Sequence, residues 1–191
     1  MAVGTPDRFR SVYELGPSNG RLTIHTGRAG MAARAGHDLV IEAERWNAAV
    51  DTSEPRLRAT VDATSLQIRE GHGGVKPLTD SDREEIRRNL NAKVLDTDRH
   101  AEITFVSTAV HALNDRRWQV DGELTIAGTT VQVRIPVEIE PDGDGTTRMS
   151  AAVTITQSDF GIKPYSAMMG ALKVADDVEI RAEALVPAEA S

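Results

Sequence analysis

The sequence predicts an all-β domain of antiparallel strands with one short α-helix. About eight or nine segments alternate apolar and polar residues, which places one set of side chains on each face of a strand. Turn signals rich in Gly, Pro and Asp separate these segments, and only one segment has apolar residues at helical spacing. Many short strands in this arrangement favour a β-barrel or a β-sandwich, and periodicity alone leaves both open.

The first strands follow residues 1–20, which we interpret as an irregular lead-in to one domain spanning residues 21–187. Residues 21–26 alternate and predict the first strand. Residues 37–51 predict a long strand whose apolar parity switches near Glu44 and Arg45. A parity switch is typical of a β-bulge, which bends a strand and curls a sheet towards closure.

One helix is expected after the glycine-rich loop at residues 70–74. Ser81 and Glu84 have capping-box spacing, and Ile86, Leu90 and Val94 form an apolar stripe at helical spacing. The stripe is narrow. We therefore expect the helix to cover a sheet edge or one end of a barrel.

The clearest hairpin lies between Val120 and Glu140. Alternate residues from Val131 to Ile139 are apolar, and the preceding arm alternates in the same way. Gly128 lies in the predicted turn, residues 127–129, where a glycine takes positive φ at little cost. One face of this hairpin is therefore predicted to be dry and the other wet.

Residues 159–175 break the strand rhythm while remaining rich in apolar side chains. Gly161, Pro164 and Gly170 interrupt the alternation. The segment predicts either a lid that lines a cavity or a hydrophobic cluster that plugs one barrel end. Its apolar members are Phe160, Ile162, Tyr165, Met168, Met169 and Leu172.

Composition excludes several functions. The formal net charge of −7 disfavours nucleic acid and anionic membrane surfaces as main partners. The chain has no cysteine, and its five histidines lack metal-ligand spacing, so neither a metal nor another cofactor is expected. No apolar run approaches the roughly 20 residues that span a bilayer. Residues 1–10 lack the apolar core of a secretory signal, so we expect a cytoplasmic protein.

Several segments together resemble the YceI-like family in order and spacing, from about Gly20 to Val186. The segments that carry the resemblance are Gly36-His37-Asp38-Leu39-Val40, residues 94–107, Gly122-Glu123-Leu124-Thr125-Ile126-Ala127-Gly128 and Asp159-Phe160-Gly161-Ile162. The resemblance implies an antiparallel, lipocalin-like β-barrel. It also implies that the lumen holds a long apolar molecule, such as a polyisoprenoid or a fatty-acid derivative, without catalysis.

The ligand-binding residues expected on this hypothesis come from the strands and from the segment after residue 159. Small inward residues such as Ala43, Ala59, Ala63 and Ala101 would leave room in the lumen, although they fit a thin, solid barrel equally well. The candidates are His37, Leu39, Phe105, Leu124, Val133, Ile135, Phe160, Ile162, Tyr165, Met168, Met169 and Leu172.

Two other functions remain open on the sequence. A barrel filled by its own side chains would act as a protein-interaction module, and an exposed strand edge would allow a homodimer. A small hydrolase or isomerase would use His37 as its acid or base. His37 and Asp38 are adjacent in a strand and point to opposite faces, so they do not form a dyad by themselves.

Overall fold

The computed structural model describes residues 12–143 and 145–187. This part of the chain forms a single antiparallel sheet with one α-helix that continues as a short π-helix. The elements are β1 (Val12–Leu15), β2 (Gly20–Ala29), β3 (Asp38–Ala43), β4 (Trp46–Asp51), β5 (Arg56–Asp62), β6 (Leu66–His72), α1 (Asp80–Asn89), β7 (Glu102–Ala112), β8 (Arg117–Ile126), β9 (Thr129–Gly143), β10 (Thr146–Thr156), β11 (Ser166–Ala167) and β12 (Leu172–Pro187).

The sheet closes into a barrel through one long bent hairpin. Strand β3 runs into β4 across residues 44–45, and β5 runs into β6 across the 3₁₀ turn Ala63–Ser65. Strand β4 pairs with β5 and β3 pairs with β6, while β5 also pairs with β7 and β3 with β2. The remaining strands pair in the order β7, β8, β9, β10, β12 and β2. If β3–β4 is counted as one bent strand and β5–β6 as another, the ring has eight strands.

The ring confirms the predicted antiparallel barrel of about eight strands with a short helix. The parity switch near Glu44 and Arg45 is also in the predicted place, but it is a complete break between two strands. The break lets β5 of the hairpin pair with β7 while β3 pairs with β2. Closure therefore depends on this bend, which we call the closing bend (residues 44–45 and 62–65).

The pairing between β9 and β10 covers only part of β9. It runs from Gly143 and Thr146 to Val137 and Ala151. The next residue along β9 is Pro136, which has no backbone N–H to donate to a neighbouring strand. Residues 129–136 of β9 pair with β8, and residues 152–156 of β10 pair with β12. Residues 129–136 of β9 and 152–156 of β10 therefore do not pair with each other, and we call this stretch the seam.

The hairpin of β8 and β9 has one apolar face, as predicted. Val120 lies opposite Ile135 and Leu124 opposite Val131, so the apolar residues of both strands share one face. Ala127 and Gly128 form the turn with φ of 48° and 78°. A two-residue turn with positive φ at both positions matches the right-handed twist of the strands. Thr129 is already the first residue of β9.

The predicted capping box is wrong by two residues. Thr79 is the N-cap residue: its hydroxyl accepts from the Asp82 N–H at 3.2 Å, and its own N–H donates to the Asp82 carboxylate at 2.9 Å. Glu84 instead pairs with Arg87, one turn further along the helix. The predicted stripe is confirmed, since Ile86, Leu90 and Val94 pack against the core, the last two from the π-helical segment Leu90–Leu95.

Part of the predicted lead-in is a strand. Strand β1 pairs with β4, from Val12 opposite Asp51 to Leu15 opposite Ala48. The prediction of irregular structure is therefore wrong for residues 12–15, where four residues were too few to show a period. Residues 1–11 lie outside the described part of the chain.

Candidate ligand-binding lumen

The barrel encloses a cavity of about 360 Å³, which we call the lumen. Its walls are almost wholly apolar, because each strand turns alternate side chains inward. Phe105 lies across Gly122, where an added Cβ would come within 2.5 Å of the ring. The lumen is thus a dry space between wall side chains that do not meet in the middle.

One row of wall residues shows how the space arises. Trp118 lies opposite Val137, Val137 opposite Ala151, Ala151 opposite Ala182, and Ala182 opposite Leu22. All five border the lumen. We call them the Trp118 row. Since directly opposed residues of neighbouring strands share a face, the two alanines in this row leave room beside the larger side chains.

The alanines expected to make room are mostly elsewhere. Ala59 borders the lumen, as predicted. Ala43 and Ala63 are buried in the packed core, and Ala101 is exposed, so these three do not border it. Ala48, Ala151 and Ala182 provide the space instead. Strand parity shows which residues point inward, but it does not show how wide the barrel is at each of them.

A second cavity of about 530 Å³, the mouth, lies beside α1. It adjoins the lumen, because one shared set of residues borders both cavities: Thr26, Ile41, Leu90, Val94 and Gln157. The mouth is more polar than the lumen. Its charged side chains and its one histidine are Arg28, His37, Lys76, Asp82, Glu85 and Lys173.

Arg28 and His37 are fixed at the mouth by hydrogen bonds. The Arg28 backbone N–H donates to the Asp38 carboxylate at 2.9 Å, and its guanidinium lies 3.3 Å from the same carboxylate. His37 Nε2 lies 2.7 Å from the carbonyl oxygen of Lys76. A carbonyl oxygen only accepts, so Nε2 carries the proton in this contact. Asp38 pairs with Arg28 and His37 with the backbone, and the adjacent residues therefore form no catalytic dyad.

The carboxylate of Asp82 adds a negative charge on the helix side of the mouth. Hydrogen bonds from the Thr79 backbone N–H and hydroxyl lower the pKa of this carboxyl group, and the charge of His37 acts in the same direction. The mouth thus presents cations on Arg28, Lys76 and Lys173 opposite acids on α1. Such a surface can hydrogen-bond a polar group while the lumen holds an apolar one.

The structure divides the predicted site residues into three groups. Phe105, Leu124, Ile135 and Ile162 border the lumen. His37, Leu39, Tyr165 and Leu172 border the mouth. Val133 packs against the core without bordering either cavity. Phe160, the last residue of the 3₁₀ turn Gln157–Phe160, is only 2% exposed and belongs to the packed core; we call it the plug.

Met168 and Met169 are corrections to the prediction. Their side chains are exposed and border neither cavity. Both residues have positive φ, of 52° and 54°, in the tight turn that leads into β12. This turn directs the two side chains into solvent. Apolar character in an irregular segment was not sufficient to predict a lining role.

Sequence reasoning missed both tryptophans of the lumen wall. Trp46 and Trp118 border the lumen. The signal for Trp118 was present, since it shares the inward parity of Val120 and Leu124 in β8. Trp46 follows the closing bend, where the change of parity hid its direction.

These features define a class of protein: an antiparallel β-barrel with an apolar lumen and a polar mouth beneath a helix. The chain belongs to the YceI-like domain family, which it matches over residues 13–185. Within the described ranges, no helix is long and apolar enough to cross a membrane. The same residues contain no group of three His, Asp or Glu side chains placed to hold a metal ion.

Two curated relatives and several solved structures are similar to the chain. The chain is 32% identical over 94 residues to a UPF0312 protein of Pseudomonas putida strain W619, and spans about half (49%) of that relative's length. A UPF0312 protein of strain GB-1 matches to the same extent.

The solved structures share the fold at low sequence identity. Burkholderia cenocepacia BcnA has a TM-score of 0.62 and 18% identity, over 87% of this chain and 96% of that one. A polyisoprenoid binding domain from Saccharophagus degradans, implicated in plant cell wall breakdown, has a TM-score of 0.64 and 9% identity, over 94% and 99% of the two chains.

Proposed function

We propose that this protein binds a long apolar or amphipathic molecule, of the polyisoprenoid or fatty-acid type, in the barrel lumen without catalysing its conversion. The observation that carries the proposal is an apolar lumen directly beside a polar mouth, with five residues bordering both. The tail of the ligand lies in the lumen, and polar residues including His37 and Arg28 meet its exposed end. The description of the Saccharophagus degradans neighbour as a polyisoprenoid binding domain supports this ligand class.

The size of the lumen suits one chain. Small-molecule sites have volumes of roughly 300–1,000 Å³. Each buried methylene contributes about 0.8 kcal/mol, so ten contribute on the order of 8 kcal/mol. Association costs roughly 4–15 kcal/mol. A short chain would therefore bind weakly, and a long chain is needed.

The cavity also bears on the rival functions. A protein-interaction module with a solid barrel would have a lumen filled by side chains, and the volume of about 360 Å³ counts against it. The hydrolase or isomerase rival needs a carboxylate that orients His37, whereas Asp38 is bound to Arg28 and Asp82 to Thr79. Binding without catalysis is the function that the geometry supports best.

The test is to fill the lumen while keeping the fold. Ala151→Phe places a ring in the Trp118 row, and Ala152→Phe places the same ring on the outer face of β10, where the native side chain is exposed. We expect Ala151→Phe to weaken binding of a fluorescent long-chain fatty acid about tenfold or more, which corresponds to about 1.4 kcal/mol. Ala152→Phe should bind as the unaltered protein does.

Native mass spectrometry of the purified protein complements this comparison. We expect an adduct of lipid mass on the unaltered protein and less of it on Ala151→Phe. If no lipid is recovered and neither a fatty-acid nor an isoprenoid probe binds, the lumen proposal is wrong. Thermal unfolding of both variants establishes that each is folded.

A further inference from the structure

Two donors in the lumen wall are buried without a hydrogen-bond partner. They are the indole N–H groups of Trp46 and Trp118. A third buried polar atom without a partner in the described chain, Asn91 Oδ1, belongs to the π-helical segment and borders neither cavity. Buried N–H groups are nearly always paired, because an unpaired one loses its hydration without compensation.

The two tryptophans differ in what they face. Trp118 borders the lumen, whereas Trp46 borders both the lumen and a shallow outer groove beside Pro17 and Arg45. Trp118 also stands next to the space left by Ala151 and Ala182 in its own row. Its indole is therefore the better placed of the two to meet a molecule in the lumen.

The Trp118 row lies near the end of the barrel away from the mouth, since Trp118 is the second residue of β8 and follows the exposed residues 113–117. Leu22, the member of the row on β2, is four residues from Thr26, where the lumen joins the mouth. Four residues of extended strand span roughly 13 Å. A group that enters at the mouth and reaches Trp118 thus crosses most of the apolar lumen.

The chemistry of an indole N–H restricts its partner. It is a donor only, so the partner must be an acceptor. A buried water needs two to four polar partners, and the Trp118 row offers one. An anionic group would have to leave water for apolar walls, which is unfavourable for an unpaired charge. A neutral oxygen on the ligand meets all these conditions.

We propose that the indole N–H of Trp118 donates a hydrogen bond to a neutral oxygen acceptor, of the ketone, quinone, ester or amide type, in the buried part of the ligand. This inference rests on the proposed function and narrows its ligand class. The ligand is a long chain that carries a carbonyl at the end of the lumen away from the mouth, in addition to any polar group at the mouth. A plain hydrocarbon chain lacks the feature that this site recognises.

The test compares two probes of equal chain length, a long-chain methyl ketone and the corresponding alkane, by displacement of a fluorescent fatty acid. The unaltered protein should prefer the ketone about fivefold to tenfold, the range of one net hydrogen bond. Trp118→Phe removes the donor and keeps an aromatic ring, so it should abolish the preference while still binding the alkane. Trp46→Phe is the matched variant and should retain the preference.

The outcomes separate this inference from the proposed function. If both probes bind the unaltered protein equally, or if Trp46→Phe alone abolishes the preference, the role of Trp118 is refuted while the binding lumen stands. If neither probe binds, both proposals fall together.

A measurement on the unaltered protein avoids any effect of the substitution on folding. In ¹H–¹⁵N spectra, the indole proton of Trp118 should move downfield when the ketone is added and stay in place with the alkane. An unmoved indole signal with bound ketone would overturn the inference.

Discussion

The Trp118 row and the closing bend are both parts of the barrel wall, yet they are packed in opposite ways. In the row, two alanines leave empty space beside larger side chains on the same face of the wall. In the bend, Ser65 is 0% exposed, accepts from the Arg45 N–H at 3.0 Å and donates to the Asp62 carbonyl oxygen at 2.7 Å. The packed bend holds the ring closed, and the unfilled row leaves the room that a ligand needs.

The largest expected effect is at the other fully packed position, the plug. Phe160→Ala should lower the free energy of unfolding by about 3–5 kcal/mol, because Phe160 is buried among core side chains and its loss leaves a cavity. Urea unfolding measures this change. A loss below about 1 kcal/mol would mean that the plug is as loosely packed as the lumen, and the contrast between the regions would break.

Ser65→Ala should cost about 1–3 kcal/mol, since the part-buried Arg45 N–H would lose its acceptor. The measurement is again the free energy of unfolding in urea. Ser166→Ala, at an exposed position in β11, is the control and should change stability by less than about 0.5 kcal/mol. Equal effects at both serines would show that the closing bend does not depend on its buried hydrogen bonds.

Asp62→Asn should have a smaller, pH-dependent effect. The Thr64 hydroxyl and then the Arg45 guanidinium lower the pKa of the Asp62 carboxyl by hydrogen bonding, and burial only partly opposes them. Because the folded pKa is depressed, the ionised carboxylate stabilises the fold above the unfolded pKa, and this contribution is lost as the pH falls through the folded pKa.

The Asp62 side chain is 37% exposed, so screening should limit the effect to about 1 kcal/mol or less. Unfolding of the protein and of Asp62→Asn is to be compared between neutral pH and pH about 3. The difference between them should shrink at the acid end. If the difference in the free energy of unfolding does not change with pH, the charge of Asp62 does not stabilise the closing bend.

The smallest expected change in stability is in the lumen wall. Ile135→Val should cost only about 0.5 kcal/mol, at the low end for this substitution, because Ile135 borders space that is already empty. The same variant should alter the affinity for a long-chain probe, which fluorescence titration measures. A cost above about 1.5 kcal/mol would place Ile135 in a filled core and undo the contrast.

The sequence predicted the elements whose period is local. The alternation in β8 and β9 determined the face of Leu124 and Ile135, and the parity switch at Glu44 marked the bend. The sequence could not predict that Trp118 and Ala151 lie in one row, because this depends on the register of two strand pairs at once. The predicted lining role of Met168 and Met169 was wrong for a different reason. A turn with positive φ directs both side chains outward, and neither residue is a glycine or an asparagine, which would have indicated such a turn.

The seam at Pro136 leaves the barrel closed by backbone hydrogen bonds along only part of its length. Strands β9 and β10 are joined by backbone hydrogen bonds at one end of the barrel only. The other end can widen by bending two strands, and no ladder between them has to break first. For the ligand proposed above, the seam would be a sideways route into the lumen that does not require threading end-first past α1.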